Sequence, residues 1–347
     1  MKDKKFDAII VGSGTSAYYT ADGLIRAGKA VAIIDQRPFG GTCALRGCQP
    51  KKYLVCNAEA VAMTRHLLGR GITDPARTDW PALQALKNEF LDGRSEADLA
   101  SWQKRGAATY SGQAVMTGPD DITVGKERLS ADHIVLATGA VPRRAKIPGS
   151  EYIMDSEAFL ELKHLPDRII FIGGGYISFE FAHVAARAGA SSVTILHRSD
   201  RPLKNFDPDM VKTVVEAGKE EGILVETNES PAMVEQQGGG LILTSESGRT
   251  YHADLIIEAT GRVPDLSALE NANARVTSDA AGVTVNEYLQ SVSNPTVYAI
   301  GDCAAQGPML ATVADEQGKI AAANILKGNH LTMDYAIIPS AVFTIPN

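Results

Sequence analysis

The sequence predicts an α/β fold of two doubly wound, three-layer units, each a parallel sheet covered by helices. Two observations predict it. The run FDAIIVGSGTSAYYTADGLIRAGKAVAIID (6–35) reads strand, glycine turn, helix, strand, and RIIFIGGGYISFEFAHVAARAGASSVTILHR (168–198) repeats the plan. Each unit also closes alike, because HIVLATGAVPR (133–143) and LIIEATGRVPD (255–265) are apolar strands ending on Ala-Thr-Gly-x-Val-Pro.

Size and charge narrow the classes. With 347 residues, 44% of them hydrophobic, the chain can build two or three domains with real cores. A formal net charge of −7 gives neither a nucleic-acid partner nor an anionic membrane any electrostatic support. The apolar run AIIV near the start is too short for a signal sequence, and no stretch approaches the roughly 18 apolar residues of a membrane span. Four cysteines without an export signal indicate the reducing cytoplasm, where a disulfide is more often catalytic than structural.

The first glycine turn is Gly12-x-Gly14-x-x-Ala17, the fingerprint of a dinucleotide-binding turn, and Asp35 ends the next strand where an acid can hold a ribose hydroxyl. The second turn has Gly173, Gly175 and Ser178 in the same places. One such turn also arises from packing alone; two at equivalent positions point to two bound dinucleotides. A third strand, TVYAIGDCA, ends on Gly301-Asp302, where the acid either meets a ligand or is a solvated turn residue. Residues 69–108 read as helical and polar, with no chemistry.

Between the first unit's strands lies GGTCALRGCQPKK (40–52). On a regular helix residues five apart have Cα atoms about 8–9 Å apart, whereas a disulfide needs about 4.4–6.8 Å. So Cys43 and Cys48 are either unlinked or joined across backbone bent out of helix, which Gly47 would ease. Pro50 suits a first helical position, with KKYLVCNAEAVAMTRHLL as the helix after it. Cys48 then sits just ahead of a helix N-terminus, where the dipole and nearby ammonium groups favour a thiolate. Lys51 and Lys52 fall in a first turn, where cations are disfavoured, and a broken local rule often marks a functional site. The spacings of Cys43, Cys48, Cys56 and His66 fit no metal pattern, so no metal is expected. Cys56 and Cys303 are expected to be small buried hydrophobes.

Gly40-Gly41-Thr42-Cys43-x4-Cys48-x-Pro50-Lys51 is the most specific element. With the order of fingerprints, Ala-Thr-Gly strands and Gly-Asp, it resembles the flavin-dependent pyridine nucleotide–disulfide oxidoreductases of the glutathione reductase, lipoamide dehydrogenase and mercuric reductase kind. The likeness runs from about residue 5 to the last residue. It implies two Rossmann-like domains, the second inserted in the first: an FAD-binding domain over 1–145, an NAD(P)-binding domain over 146–264, and a return to the FAD domain over 265–335. Residues 336–347 would begin an interface domain that is otherwise absent, together with its substrate-protonating histidine. The family's homodimer is therefore not expected of this chain, and its apolar strip AIIPSAVFTI (336–345) would lack its usual cover.

The resemblance also implies roles. FAD would lie on Gly12, Gly14, Ala17, Asp35, Gly41, Thr42, Lys51, Thr138, Gly139, Asp302 and Ala311, with its adenine near the backbone of Ala114. The nicotinamide cofactor would lie on Gly173, Gly175, Tyr176, Ile177, Glu180, Arg198, Lys204, Gly261 and Arg262, with Tyr176 either a lid over the flavin or a core residue. Arg198 and Lys204 stand where the first unit has an acid, which favours NADPH over NADH. Cys43 and Cys48 would form the redox disulfide, Cys48 against the flavin and Cys43 attacking substrate, with Lys51 paired to Glu180. Electrons would pass from NADPH through FAD to that disulfide and on to a small-molecule disulfide, glutathione-like by preference. Mercuric ion and lipoamide are the alternatives within the class, and a flavin-binding fragment without turnover is the alternative outside it. Asp22 stands where glutathione reductases place a substrate-binding arginine, which counts against glutathione itself.

Overall fold

A computed structural model describes residues 4–269 and 272–346. The chain opens with β1 (Lys4–Val11), α1 (Thr15–Arg26) and β2 (Val31–Asp35), then α2 (Gly41–Leu45), α3 (Cys48–His66), α4 (Trp80–Leu91) and α5 (Arg94–Lys104). Strands β3 (Ala108–Ser111), β4 (Ala114–Met116), β5 (Asp121–Val124), β6 (Glu127–Leu136), β7 (Ala140–Pro142) and β8 (Met154–Asp155) come next. After α6 (Ser156–Leu160) run β9 (Arg168–Ile172), α7 (Tyr176–Ala188), β10 (Ser192–His197), α8 (Pro208–Glu220) and β11 (Ile223–Thr227). The remainder is β12 (Pro231–Gln237), β13 (Gly240–Ser245), β14 (Thr250–Ala253), β15 (Leu255–Glu258), β16 (Arg262–Pro264), β17 (Ser278–Asp279), β18 (Gly282–Val283), β19 (Val297–Ala299) and α9 (Ala311–Lys327). Two compact units result: residues 1–48, 91–141 and 263–339, and residues 49–90, 142–262 and 340–347.

In the first unit the sheet order is β3-β2-β1-β6-β5-β4, with β19 also on β6. Strands β3, β2, β1, β6 and β19 are parallel, and β5 and β4 extend the sheet as an antiparallel meander. Ala8, Ile9, Ile10 and Val11 are all buried, as a strand covered on both faces requires. Ile9 and Val11 join the cluster that holds Ile34 and Leu136, while Ala8 and Ile10 join one holding Ala17, Ala21 and Leu24 of α1 and Ala321 of α9. Thr20 Oγ1 donates to the Gly318 carbonyl at 3.0 Å, fastening α1 to α9.

The second unit has the all-parallel order β11-β10-β9-β15-β8, and a separate antiparallel sheet β12-β13-β14. Its main cluster packs Leu54, Val55 and Ala58 of α3 and Trp80 and Leu83 of α4 with Phe159, Phe171 and Phe181. The 69–108 region is therefore more than a polar helical stretch. Trp80 Nε1 donates to the Leu162 carbonyl at 2.7 Å, and the wholly buried Lys87 donates to the Leu160 carbonyl at the end of α6. Cys56 corrects the expectation of a buried thiol: the buried face of α3 runs through Leu54, Val55, Ala58 and Val61, and Cys56 falls off it, exposed. Cys303 is buried.

The C-terminal segment also departs from expectation. Ile337 is exposed, but Val342 lies inside the main cluster with Phe343 and Ile345 packed against it, and Arg187 Nη2 donates to the Ile345 carbonyl at 3.3 Å. The end of the strip, 342–345, thus has a cover within the second unit. Among the described residues, no helix is long and apolar enough to cross a membrane.

The same guanidinium reaches a buried histidine of α7. Arg187 Nη1 donates to His183 Nδ1 at 2.8 Å, so the imidazole proton sits on Nε2. Burial first, then the Arg187 charge, push the His183 pKa down to about 3. The unfolded chain takes up this proton near pH 6.5 and the folded chain refuses it. His183 therefore gives stability that is complete above about pH 6.5 and is lost as the pH falls toward 3. Thermal midpoints measured between pH 7 and pH 5 should decline, and His183→Gln, which can still accept from Arg187, should flatten the decline. An unchanged slope in that variant would refute the assignment.

Candidate active site

Both glycine turns are built by one device. Gly12 and Gly173 each have φ near +109°, and a Cβ would lie 2.2 Å from the Ala137 carbonyl oxygen in the first case and 2.5 Å from that of Ala259 in the second. Their N–H groups donate to the ends of the neighbouring strands, Gly12 to Ile34 at 2.7 Å and Gly173 to Leu196 at 2.8 Å. Ala137 and Ala259 donate in turn to Val11 and Ile172, each at 2.8 Å. The Ala-Thr-Gly ends are thus the partners on which the glycine turns pack. Each turn leads into a helix whose N-cap, Gly14 for α1 and Gly175 for α7, is extended and offers no side-chain cap. Close-approach glycine backbone at an uncapped helix N-terminus fits a pyrophosphate, so the residues present suit two dinucleotides.

Because β1, β2, β6 and β19 are parallel, their carboxyl ends share one edge of the sheet; Asp35 is the last residue of β2, and Gly12, Thr138, Gly139 and Asp302 follow the other ends. Asp35 Oδ2 accepts from Ser13 N at 2.8 Å and Ser13 Oγ at 2.6 Å, and Oδ1 accepts from Arg37 N at 2.8 Å. Ser13 Oγ accepts from Gly40 N at 3.0 Å, which draws the start of α2 to the turn. A Cβ on Gly41 would come within 2.3 Å of the Gly14 Cα. Gly112 N donates to the Asp35 carbonyl at 2.8 Å, so Ala114, two residues on and buried, lies near the end of β2. Thr138 Oγ1 donates to the Asp265 carbonyl at 2.6 Å, and Asp265 N donates to the Gly139 carbonyl at 2.9 Å. Ala17 is buried in α1, and Ala311 heads α9. Asp22 is held by Arg26 and Arg105.

Gln317 of α9 carries no signal in the sequence. Wholly buried, it accepts from Gly301 N at 2.6 Å and donates to the Gln306 carbonyl at 3.0 Å and the Tyr335 hydroxyl at 2.8 Å, which fixes the turn carrying Asp302. Its partners lie up to 18 residues away, so no local pattern could announce it.

Thr42 and Cys43 lie in α2, and Cys48 is the first residue of α3. Helix α3 therefore starts two residues ahead of the expected Pro50. Arg46, at φ −139° and ψ 15°, breaks the helical path between the two cysteines. The backbone is bent out of helix there, and Gly47 packs on Thr42, whose carbonyl oxygen would be 3.1 Å from a Cβ. Both cysteines are half-buried. A thiolate on Cys48 faces the positive end of a 19-residue helix dipole.

In the second unit the structure brings Lys51 and Glu180 together. Lys51 Nζ is 2.8 Å from Glu180 Oε2, with the lysine side chain 13% exposed and the glutamate 3%. Glu180 Oε1 accepts from the Phe343 N–H at 3.0 Å, and the Phe343 ring lies 4.4 Å from Lys51 Nζ and 5.4 Å from Lys52 Nζ. The carboxylate and the ring are why cations are tolerated in that first turn.

Tyr176 opens α7 and is 42% exposed, Ile177 is half-buried, and Arg198 and Lys204 are exposed in the segment after β10. Gly261, whose carbonyl accepts from Arg143 N at 3.1 Å, and Arg262 follow β15. Among the described residues, no group of three or more His, Cys, Asp or Glu side chains could hold a metal ion.

Comparison with known proteins agrees with this geometry. The pattern that describes the pyridine nucleotide-disulphide oxidoreductases matches residues 6–318. A dihydrolipoyl dehydrogenase of Chlamydia pneumoniae is 32% identical across 99% of this chain and 75% of its own length. A glutathione reductase of Nostoc sp. is 31% identical across 98% of this chain and 77% of its own. Among solved structures, the Cu(II) complex of the HOCl-induced flavoprotein disulfide reductase RclA from Escherichia coli is similar at a TM-score of 0.88 and 26% identity, covering 99% of this chain and 76% of that one.

Proposed function

The chain belongs to the pyridine nucleotide-disulphide oxidoreductase family, and from that premise we propose that it uses NADPH to reduce a small disulfide of the glutathione type through Cys43 and Cys48. The family's members are FAD-binding, NAD(P)H-dependent oxidoreductases acting on disulfides; the choice of NADPH, the substrate and the residue roles are the proposal's own. One observation carries it: two cysteines on consecutive helices across a backbone break, the second opening a long helix.

The first unit's turns would hold FAD and the second unit's would hold the nicotinamide cofactor. FAD supplies two-electron exchange between a nicotinamide and a thiol pair when bound. The chain's own part is thiol chemistry. A Cys43 thiolate attacks one sulfur of the substrate, the other leaves as a thiolate that takes a proton from solvent, and a mixed disulfide remains on Cys43. Cys48 then attacks the Cys43 sulfur, releasing the second thiol and closing Cys43–Cys48, so that the pair is oxidised by two electrons as the substrate is reduced. Lys51, fixed by Glu180 and Phe343, presents a fixed positive charge one turn after Cys48. Asp22, committed to two arginines, leaves the substrate a low-molecular-weight disulfide other than glutathione itself as the closest variant.

The test is steady-state oxidation of NADPH and of NADH with glutathione disulfide, lipoamide and Hg(II) as separate acceptors. Turnover of a disulfide with NADPH is expected; faster turnover with NADH overturns the cofactor, and turnover of Hg(II) alone overturns the substrate class. A charge-assisted contact contributes about 1.5–3 kcal/mol, so Arg198→Ala should weaken NADPH binding roughly 10–100-fold and leave NADH nearly unchanged. Equal losses for both would remove Arg198 from 2′-phosphate recognition.

A further inference from the structure

We propose that Phe343 is a positioning residue of the thiol site, holding the Lys51 ammonium at the head of α3 without cancelling its charge, so that the charge stays available to a Cys48 thiolate. The proposal rests on the reading of Cys43 and Cys48 as the redox pair and deepens it. Its basis is the way the segment 342–345 is built into the second unit. Val342 and Thr344 are buried and Phe343 and Ile345 half-buried, the alternation of an extended stretch. Helix α7 grips that stretch at two points. Glu180 Oε1 accepts from Phe343 N at 3.0 Å, and Arg187 Nη2 donates to the Ile345 carbonyl at 3.3 Å. The two side chains stand seven residues apart, on one face of the helix. Arg187 is itself buried and 3.4 Å from Glu221 Oε1, which anchors the grip.

Phe343 meets both members of the ion pair, by different means. Its backbone N–H takes one oxygen of Glu180, and its ring lies 4.4 Å from the Lys51 Nζ that the other oxygen holds at 2.8 Å. The ring is also 5.4 Å from Lys52 Nζ. Successive helical residues point about 100° apart, so one ring reaches both ammonium groups only by sitting between them at the start of α3.

This division matters for the sulfur. Lys51 follows Cys48 by three positions in α3, a spacing at which helical positions are neighbours. A carboxylate alone would hold the ammonium and cancel much of its field. Here the carboxylate spends one oxygen on a backbone N–H, and an uncharged ring supplies the rest of the hold through its quadrupole. The ammonium is fixed in place and keeps net positive character. Added to the dipole of a 19-residue helix, it favours the thiolate over the thiol at Cys48.

The experiment reads the thiolate directly. In the flavin-loaded protein carrying Cys43→Ser and Cys56→Ser, alkylation of Cys48 by iodoacetamide at pH 7 is followed by peptide mass spectrometry. Phe343→Leu, which keeps the apolar bulk and the backbone N–H, should slow the reaction roughly 3–10-fold. Phe343→Tyr, which keeps the aromatic face, should react within about twofold of the parent. Phe343→Leu made on top of Lys51→Met and Glu180→Leu should change the rate by less than about twofold, because the ring then has no Lys51 charge to hold. An unslowed or faster Phe343→Leu protein overturns the proposal. So does a loss in Phe343→Tyr equal to that in Phe343→Leu, or an undiminished effect once Lys51 and Glu180 are replaced. Neither a nicotinamide nor a disulfide takes part in the alkylation, so these results leave the disulfide reductase reading to its own turnover test. A parent Cys48 no more reactive than a free peptide thiol would overturn the proposal and the Cys48 thiolate together.

Discussion

Cys43→Ser is expected to abolish disulfide turnover, with a loss of about 10³-fold or more, while NADPH oxidation with ferricyanide as acceptor persists. The reasoning is that a serine hydroxyl at neutral pH neither attacks a disulfide nor forms one, whereas electron entry on the nicotinamide side does not need Cys43. Cys48→Ser should lose turnover as completely but by a different route. Cys43 would still attack, and the mixed disulfide would have no neighbour to resolve it. Incubation of Cys48→Ser with glutathione disulfide should therefore accumulate a covalent adduct on Cys43, seen by peptide mass spectrometry, and Cys43→Ser should accumulate none on Cys48. The reverse pattern would exchange the two roles. Undiminished turnover in either variant would remove the pair from the chemistry.

The largest expected effect on stability lies at Lys51 and Glu180. The pair is nearly closed to solvent, with Glu180 accepting from the ammonium through one oxygen and from the Phe343 N–H through the other. Replacing Glu180 by Leu leaves a buried cation and a buried N–H unpaired, a loss of about 3–5 kcal/mol for a broken buried pair. Lys51→Met should cost a similar amount, since it strands the carboxylate. Lys51→Met with Glu180→Leu should be less destabilised than the sum, because an apolar pair of like volume replaces the ions. Urea unfolding of all four proteins gives the coupling. Additive losses would show that the two groups do not stabilise one another.

The duplicated glycine turns are legible in the sequence because their backbone geometry admits one residue type. At φ near +109°, pressed on a carbonyl, Gly12 and Gly173 leave no room for a Cβ. The parallel strands are legible for a related reason, since AIIV and IIFI are buried on both faces and are apolar throughout. Helix geometry narrows the relation of Cys43 and Cys48 to a choice, and the break at Arg46 supplies the bent backbone that one alternative requires without itself joining the two. What escapes depends on residues far apart in the chain. Phe343 N–H finds Glu180 across 163 positions, and Gln317 gathers three partners that share no motif. Cys56 is exposed against expectation because helix α3 buries only one face, and which face depends on the Phe159 cluster rather than on α3's own residues. The sequence around His197 shows its cationic neighbours; the hydrogen bond to Gly174 exists only once the turn is folded.

The division of the chain has a consequence for its synthesis. The polypeptide passes from one unit to the other at five places, after Cys48, Phe90, Val141, Arg262 and Pro339. Neither unit is a contiguous stretch, and the second completes its core only when Val342 joins the cluster in which Leu54 is the first residue. A ribosome adding about 5–20 residues per second must make everything between those two residues before the cluster can close. The emerging protein therefore carries unsealed apolar surface from α3 onward until Val342 has appeared, and contacts of such long sequence separation form slowly. Chaperones that hold apolar segments would find their binding sites in α3 and α4 during that interval, and expression of 142–262 alone would leave the second unit's core without Leu54, Trp80 and Val342.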